Sequence, residues 1–166
     1  MRVRGCTLGD LPDVIRIERA SFGPDSYSVT TFLAHVFRDR KGLIVAEDED
    51  HRIVGYALAR VGVRWFGIRR GGITSIAVEP SHRRRGFGQA LLTAALEYLR
   101  QSEVDEADLE VNVSNRAAQS LYESVGFVQT KMLPHYYGPN RDGVKMILDT
   151  RRQMARATSA TRSSNG

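Results

Sequence analysis

The chain has 166 residues, 42% of them hydrophobic and 26% charged, which predicts one folded domain and excludes disorder of the whole chain. Its longest apolar runs are too short to cross a bilayer, and no export signal is visible. A single cysteine, Cys6, excludes an internal disulfide, so we expect a cytoplasmic protein with no membrane partner. Of the net charge of +5, residues 151–166 carry +4 through four arginines. We therefore predict a folded domain over residues 1–150 and a basic, flexible tail over residues 151–166.

The first half of the chain predicts strands and two helices. The capping pair Thr7 and Asp10 starts the first helix, and the second helix begins at Ser28. The sequence Gly23-Pro24-Asp25 ends the first helix. The strands predicted in this half cover residues 2–7, Leu43–Glu47, Ile53–Val63 and Ile73–Val78, and Trp65–Gly72 is interpreted as a connecting segment.

The second half alternates between helix and strand patterns. Leucines and alanines at helical spacing predict a long helix over residues 86–100, and Gly126 is expected to end a second helix over residues 115–124. Strands are predicted over residues 109–113, 127–133 and 144–148. This order implies right-handed crossovers and a central sheet with helices on both faces, so the fold class is mixed α/β.

The densest chemical signal is the segment Arg83-Arg84-Arg85-Gly86-Phe87-Gly88, which lies between a predicted strand and a predicted helix. The first turn of a helix presents unpaired backbone N–H groups and the positive end of the helix dipole. Glycines let a phosphate approach the backbone, and arginines add charge-assisted hydrogen bonds. The pattern therefore favours a diphosphate site, and the alternative is a glycine turn with solvated arginines. Gln89-Ala90 argues against a P-loop, and the absence of a third glycine argues against a dinucleotide fingerprint.

The same segment resembles a known family. Arg83-x-x-Gly86-x-Gly88 matches the Q/R-x-x-G-x-G/A motif of the GNAT superfamily of acetyl-CoA-dependent N-acetyltransferases. The segments SIAVEPSHRRRGFGQALL, LEVNVSNRAAQSLYESVGF, PHYYGPNRDGVKM and IERASF extend the resemblance over residues 3–149. The chain most resembles the ribosomal-protein alanine and archaeal N-terminal protein acetyltransferases. This implies the GNAT fold, with a mixed sheet of six to seven strands flanked by four helices on both faces.

The resemblance also implies which residues hold acetyl-CoA, the expected cosubstrate. Backbone groups of one strand would hold the pantetheine arm, and the basic turn would hold the diphosphate. Asn115 would bond the arm, or it is simply the N-cap of a helix. The implied cofactor-binding residues are Ile76, Ala77, Val78, Arg83, Arg84, Arg85, Gly86, Phe87, Gly88, Gln89 and Asn115.

Two residues match the family's catalytic groups. Glu110 matches the general base, and strand alternation places it with Asp108 on the side opposite Leu109. An α-amine with a pKa of about 8 must lose a proton before it attacks the thioester, and a partly desolvated carboxylate can accept that proton. The alternative is a solvent-facing glutamate on an edge strand. Tyr122 matches the tyrosine that protonates the departing thiolate, and its helical spacing is equally compatible with a core residue.

Peptide-binding residues are implied at two places. Tyr136 and Tyr137 match paired tyrosines of the last hairpin, where adjacent strand residues would face opposite sides. The loop that contains Phe22, Asp25 and Tyr27 would line the pocket for the first substrate residues. The chain departs from the family pattern nearby: Asn112 replaces an arginine, and Arg141 and Gly143 flank Asp142 in place of an acid and a small residue.

We therefore expect an enzyme that transfers an acetyl group from acetyl-CoA to protein N-termini by direct attack in a ternary complex. The alternative acceptors are lysine side chains or a small-molecule amine. The expected partners are protein or peptide N-termini, including ribosomal or nascent proteins. Nucleic acid is not expected as a partner, except through the basic tail. An alternative function, which is not enzymatic, is that of an adaptor that binds CoA and contacts RNA through this tail. The four histidines show no metal-ligand spacing, so no metal is expected.

Overall fold

The computed structural model describes residues 1–151, except for the side chains of residues 39 and 40. Within that range seven strands and four α-helices confirm the mixed α/β class. None of the helices described there is long and apolar enough to cross a membrane. The elements are β1 (Arg2–Gly5), α1 (Leu11–Phe22), α2 (Val29–Asp39), β2 (Leu43–Glu47), β3 (Ile53–Trp65), β4 (Ile68–Val78), α3 (Phe87–Gln101), β5 (Glu106–Asn112), α4 (Arg116–Ser124), β6 (Val128–Leu133) and β7 (Gly143–Asp149).

The first of two compact units contains Met1–Arg60 and Ile73–Gln101. Its strands follow the order β1-β2-β3-β4, and the first three are antiparallel. Every residue of β2 is buried, as expected for a strand with neighbours on both edges and apolar cover. Apolar side chains of α1 and α2 join those of β2 and β3 in one core, where the Phe32 ring meets Tyr56 edge-on at 5.6 Å.

Both predicted helix starts in this unit are confirmed. Asp10 Oδ2 accepts hydrogen bonds from the Thr7 N–H at 2.7 Å and the Thr7 hydroxyl at 2.8 Å. Arg4 adds two charge-assisted bonds to the same carboxylate, at 2.6 and 2.9 Å. Ser28 Oγ accepts from the Thr31 N–H at 3.2 Å, so it caps α2.

The second unit contains Val61–Gly72 and the described part of Ser102–Gly166. Its strands follow the order β3-β4-β5-β7-β6, with β4 parallel to β5, and with β7 antiparallel to both β5 and β6. Burial alternates strictly along β5, because Ala107, Leu109 and Val111 point into the core while the acidic residues between them do not. The predicted domain boundary at residue 150 stays a prediction, and residues 152–166 of the predicted tail lie outside the described residues.

One predicted connection is wrong. Trp65–Gly72 was expected to link two elements, but β3 extends through Trp65 and β4 begins at Ile68. Only Phe66 and Gly67 lie between these strands, with φ of 45° and 77°. Positive φ at both central residues is the feature of a type I′ turn, whose twist matches that of the strands it joins. Arg69, Arg70, Gly71 and Gly72 of the segment therefore lie on β4 of a tight hairpin, and Gly67 lies in its turn.

Candidate active site

The basic turn predicted to bind a diphosphate lies, as expected, between β4 and α3. Arg83, Arg84, Arg85 and Gly86 are exposed, and the buried Phe87 begins the helix. Gly86 has a φ of 86°, a conformation in which a Cβ is unfavourable. A Cβ built there would have no heavy atom within 4 Å apart from its chain neighbours, so the space beside the turn is open.

The geometry of the turn fits an anionic group. The Ala90 N–H donates to Gly86 O at 3.0 Å, as the first i→i−4 bond of α3. The preceding N–H groups, of Phe87, Gly88 and Gln89, belong to the first helical turn, which has no such partner within the helix. These donors, the helix dipole and the neighbouring arginines suit a diphosphate.

The three arginines of the turn differ in their surroundings. Arg83 Nε donates to Val78 O at 3.0 Å, which ties the turn to the end of β4. The Arg85 guanidinium lies 5.9 Å from the centre of the Phe87 ring. Arg84 is exposed, with a φ of 61°. Arg84 and Arg85 therefore place their charges at the surface of the turn, whereas the Arg83 side chain is hydrogen-bonded to the end of β4.

The predicted pantetheine strand is the last part of β4. Ala77 is buried, and Ile76 and Val78 on either side are partly buried. Ala77 O lies 2.9 Å from where a Cβ of Gly55 would stand, so β3 and β4 approach closely here. The roles of these backbone groups toward a cosubstrate stay a prediction.

The predicted peptide loop after α1 is held by a residue that sequence reasoning missed. Phe22, Asp25 and Tyr27 are exposed, as a binding loop requires. The Tyr27 N–H donates to Glu18 Oε1 at 2.7 Å, and Glu18 is only 1% exposed. A buried carboxylate is costly unless it is hydrogen-bonded, so this contact fixes the loop to α1. An acid on the apolar stripe of the helix, four residues after Val14, was the available sequence signal.

Glu18 also belongs to a buried polar cluster in the first unit. The Tyr56 hydroxyl donates to Glu18 Oε2, and it lies 2.7 Å from the Ser75 hydroxyl. Burial, and then the Glu18 carboxylate, raise the pKa of the Tyr56 phenol, which keeps it in the donor form. Ser75 directly precedes Ile76, so the cluster connects the peptide loop with the predicted pantetheine strand.

In the second unit, Glu110 lies in the middle of β5 beside a lysine. Strands β4 and β7 flank β5, so the alternative of an edge strand is wrong. Lys145 is in register with Glu110 on β7, and its Nζ lies 3.7 Å from Glu110 Oε1 and 3.0 Å from Asp108 Oδ2. The base candidate is therefore partly buried within a cluster of two carboxylates and one ammonium.

Tyr122 lies in the core, as one of its two predicted readings expected, and its role as proton donor stays a prediction. It is buried on α4, and its ring meets Phe127 edge-on at 5.9 Å. Burial, with the nearby Tyr137 as a second cause, raises the pKa of the Tyr122 phenol, so it remains protonated and able to donate. Asn115 Oδ1 accepts from the Ala118 N–H at 3.2 Å, which confirms the N-cap reading of this residue. Its predicted contact with the cosubstrate stays a prediction.

The tyrosine pair does not lie on a strand, which corrects the expectation that the two rings face opposite sides. Tyr136 and Tyr137 lie in the turn between β6 and β7, where His135 and Gly138 have positive φ. Their rings contact each other edge-on, with centres 5.0 Å apart. The turn is closed by the Tyr137 N–H, which donates to Arg141 O at 3.0 Å.

Gly143 explains how the two rings fit against β7. A Cβ at this position would lie 3.1 Å from Tyr136 Cβ and 3.2 Å from Tyr137 Cε2. Gly143 is also in register with Asn112, so two departures from the family pattern are cross-strand partners. The structure thus groups Tyr136, Tyr137, Gly143 and Asn112. Among residues 1–151 no set of three or more His, Cys, Asp or Glu side chains is arranged to hold a metal ion.

Comparisons with known proteins agree with this fold. The N-alpha-acetyltransferase of Sulfurisphaera tokodaii is 33% identical over 153 residues, covering 87% of this chain and 90% of the relative. The crystal structure of Ard1 from Thermoplasma volcanium superposes with a TM-score of 0.79 at 27% identity, covering 89% of this chain and 95% of that chain. The NatC complex bound to Gag peptide and CoA has the same fold, with a TM-score of 0.84 at 23% identity over 89% of this chain and 97% of that chain.

The family assignment rests on a match that covers more than half of the chain. The model of the acetyltransferase (GNAT) family matches residues 11–127, which include α1, the basic turn, Glu110 and Tyr122. The strands and helices on which these residues lie are those expected from the motif. The chain belongs to the GNAT acetyltransferase family.

Proposed function

We propose that this chain transfers an acetyl group from acetyl-CoA to the N-terminal α-amino group of proteins. The observation that carries the proposal is the Arg83–Gly88 turn at the start of α3, which is exposed from Arg83 to Gly86 and whose open backbone suits the diphosphate of CoA. The choice of acceptor is supported by the relative named N-alpha-acetyltransferase, which aligns with 87% of the chain.

Each compact unit supplies its own residues to the proposed reaction. In the first unit, the turn would bind the diphosphate, and Ile76, Ala77 and Val78 would bind the pantetheine arm through their backbone groups. When bound, acetyl-CoA supplies an activated acetyl group as a thioester. The Phe22–Tyr27 loop, held by Glu18, would contact the first residues of the peptide.

In the second unit, Glu110 and Tyr122 would move the protons. The substrate α-amine is mostly protonated near neutral pH, and the Glu110 carboxylate accepts the proton that must leave before attack. The amine nitrogen forms the new bond to the acetyl carbon, and the carbon–sulfur bond breaks. The Tyr122 phenol, kept protonated by burial, donates its proton to the departing thiolate. The nitrogen loses its second proton as the amide forms, and transfer of this proton to the phenolate restores Tyr122. Tyr136 and Tyr137 would hold the peptide backbone.

The proposed substrates are ribosomal or nascent proteins, whose N-termini are accessible during synthesis. The location that suits such substrates is the cytoplasm. The proposed substrate class and location leave the proposed reaction unchanged, because any peptide with a free α-amine presents the same reacting group.

The experiment is an acetylation assay with labelled acetyl-CoA and paired peptides. Each pair shares one sequence with lysine, and one member is blocked at its N-terminus. We expect label only on the free peptides, and an increase in melting temperature with acetyl-CoA alone. The Glu110→Gln variant should keep this increase while kcat falls by about 100- to 10,000-fold, the usual contribution of a general base. Label on blocked peptides alone would identify lysine as the acceptor and contradict the proposal.

A further inference from the structure

The cluster around Glu110 contains an unusual partner for a base. Lys145 Nζ lies 3.0 Å from Asp108 Oδ2 and 3.7 Å from Glu110 Oε1. Its ammonium is therefore within hydrogen-bond distance of Asp108 but only within ion-pair distance of Glu110. Asp108 anchors the lysine, and the Glu110 oxygens stay available to accept another proton.

All three side chains are fixed by strand register. Glu110 and Lys145 are directly opposite each other in the antiparallel β5–β7 pair, and Asp108 precedes Glu110 by two residues on the same side. Each of the three is partly buried, so their interaction is screened less than that of a surface pair. The remaining charged groups along this side are Glu106 on β5, paired with Arg70 of β4, Asp149 on β7 opposite Glu106, and Lys131 on β6 opposite Lys145.

We propose that Lys145 is a positioning residue for the acetyl transfer: anchored on Asp108, its ammonium lies between the two carboxylates and holds Glu110 in place to accept the substrate proton. This inference rests on the proposed role of Glu110. A cation within about 4–6 Å favours the charged form of a carboxylate, and a neighbouring carboxylate disfavours it. Lys145 thus offsets the repulsion that Asp108 exerts on Glu110.

The test compares pH profiles of kcat/KM for a peptide with a free N-terminus. In Lys145→Met the cation is lost and the like charge of Asp108 remains, so the acid limb should move to higher pH by about half a unit. In Asp108→Asn the repulsion is lost and Lys145 can approach Glu110, so the limb should move to lower pH. Lys145→Arg should restore most of the original profile. Lys131→Met, a matched loss of one lysine on the neighbouring strand, should leave the profile unchanged.

A second readout does not depend on activity. In protein labelled with ¹³C at the glutamate carboxyl carbons, the Glu110 signal is assigned by its loss in Glu110→Gln. Its titration midpoint should rise in Lys145→Met and fall in Asp108→Asn, whether or not the enzyme acetylates peptides. Lys145→Gln replaces the methionine variant if the latter does not fold. A midpoint equal to that of the unmodified protein in the lysine variant overturns the inference, whereas absence of peptide acetylation alone overturns only the proposed function.

Discussion

At the scale of single residues, Glu18 shows how a buried carboxylate can fix the conformation of a loop. Its carboxylate accepts hydrogen bonds from the Tyr27 N–H and the Tyr56 hydroxyl, and both bonds are lost if the carboxylate is removed. Because Tyr56 is fully buried in the core, water does not replace the carboxylate there, and the Ser75 hydroxyl remains beside the phenol. The residue therefore stabilises the fold and also sets the conformation of the proposed peptide loop.

We expect Glu18→Ala to lower the free energy of unfolding by about 2–4 kcal/mol, since it removes two hydrogen bonds to a buried carboxylate and the loss of each such bond costs about 1–3 kcal/mol. Urea denaturation measures this difference. The matched control is Glu123→Ala on the exposed side of α4, which should change stability by less than about 0.5 kcal/mol. If the two variants were equally stable, the cluster would not contribute in the way its hydrogen bonds indicate.

At the scale of elements, the start of α1 depends on an ionised carboxylate. Hydrogen bonds from Arg4, and then from Thr7, hold the pKa of Asp10 far below its usual range. A group whose pKa is lowered on folding adds stability above its unfolded pKa of about 4, and this stability is lost as the pH falls toward the folded value. The helix start is therefore sensitive to acid.

Asp10→Asn should lower the free energy of unfolding by about 2 kcal/mol at pH 7, the loss expected for a charge-assisted bond to a mostly buried carboxylate. The difference from the unmodified protein should shrink as the pH falls below about 4, because Asp10 of the unfolded chain then binds a proton that the folded carboxylate does not. Asp13→Asn on the same helix, whose exposed carboxylate pairs with Arg16, should have a small effect at every pH. A difference that stays constant with pH would contradict the assignment.

The elements also show what the sequence predicts and what it does not. Capping pairs and apolar spacing predicted α1, α3 and α4, because those signals are local. The β3–β4 hairpin was missed because Phe66-Gly67 is not a common turn pair, although its φ values are those of a type I′ turn. The tyrosine pair was placed on a strand because alternation alone does not reveal a turn. The contact between Lys145 and Glu110 was not predicted, because it depends on the pairing register of β5 and β7, which the sequence of either strand alone does not reveal.

At the scale of the whole molecule, charge is divided unequally along the chain. Residues 151–166 carry +4 of the net +5, and the remaining 150 residues are nearly neutral. The acetyl-CoA and peptide residues proposed above all lie outside this segment. The excess charge is therefore separate in sequence from the residues of the proposed reaction.

Deleting residues 152–166 should leave kcat/KM for a free peptide and the free energy of unfolding unchanged within error. Any retention of the protein on RNA should be lost with the deletion, and in the full chain it should weaken as salt rises. Steady-state kinetics and filter binding at two salt concentrations measure both effects. A truncated protein with greatly reduced kcat/KM would assign the segment to the enzyme itself.

Cys6 is the one thiol of the chain, and it lies in the core of the first unit, where its sulfur donates to Thr7 O at 3.2 Å. An alkylating reagent can reach this sulfur only after that core has opened. The modification rate of the unaltered protein therefore reports the opening equilibrium of the region that contains the basic turn, with no engineered label. Slower alkylation in the presence of coenzyme would measure directly how much the ligand protects that half of the enzyme.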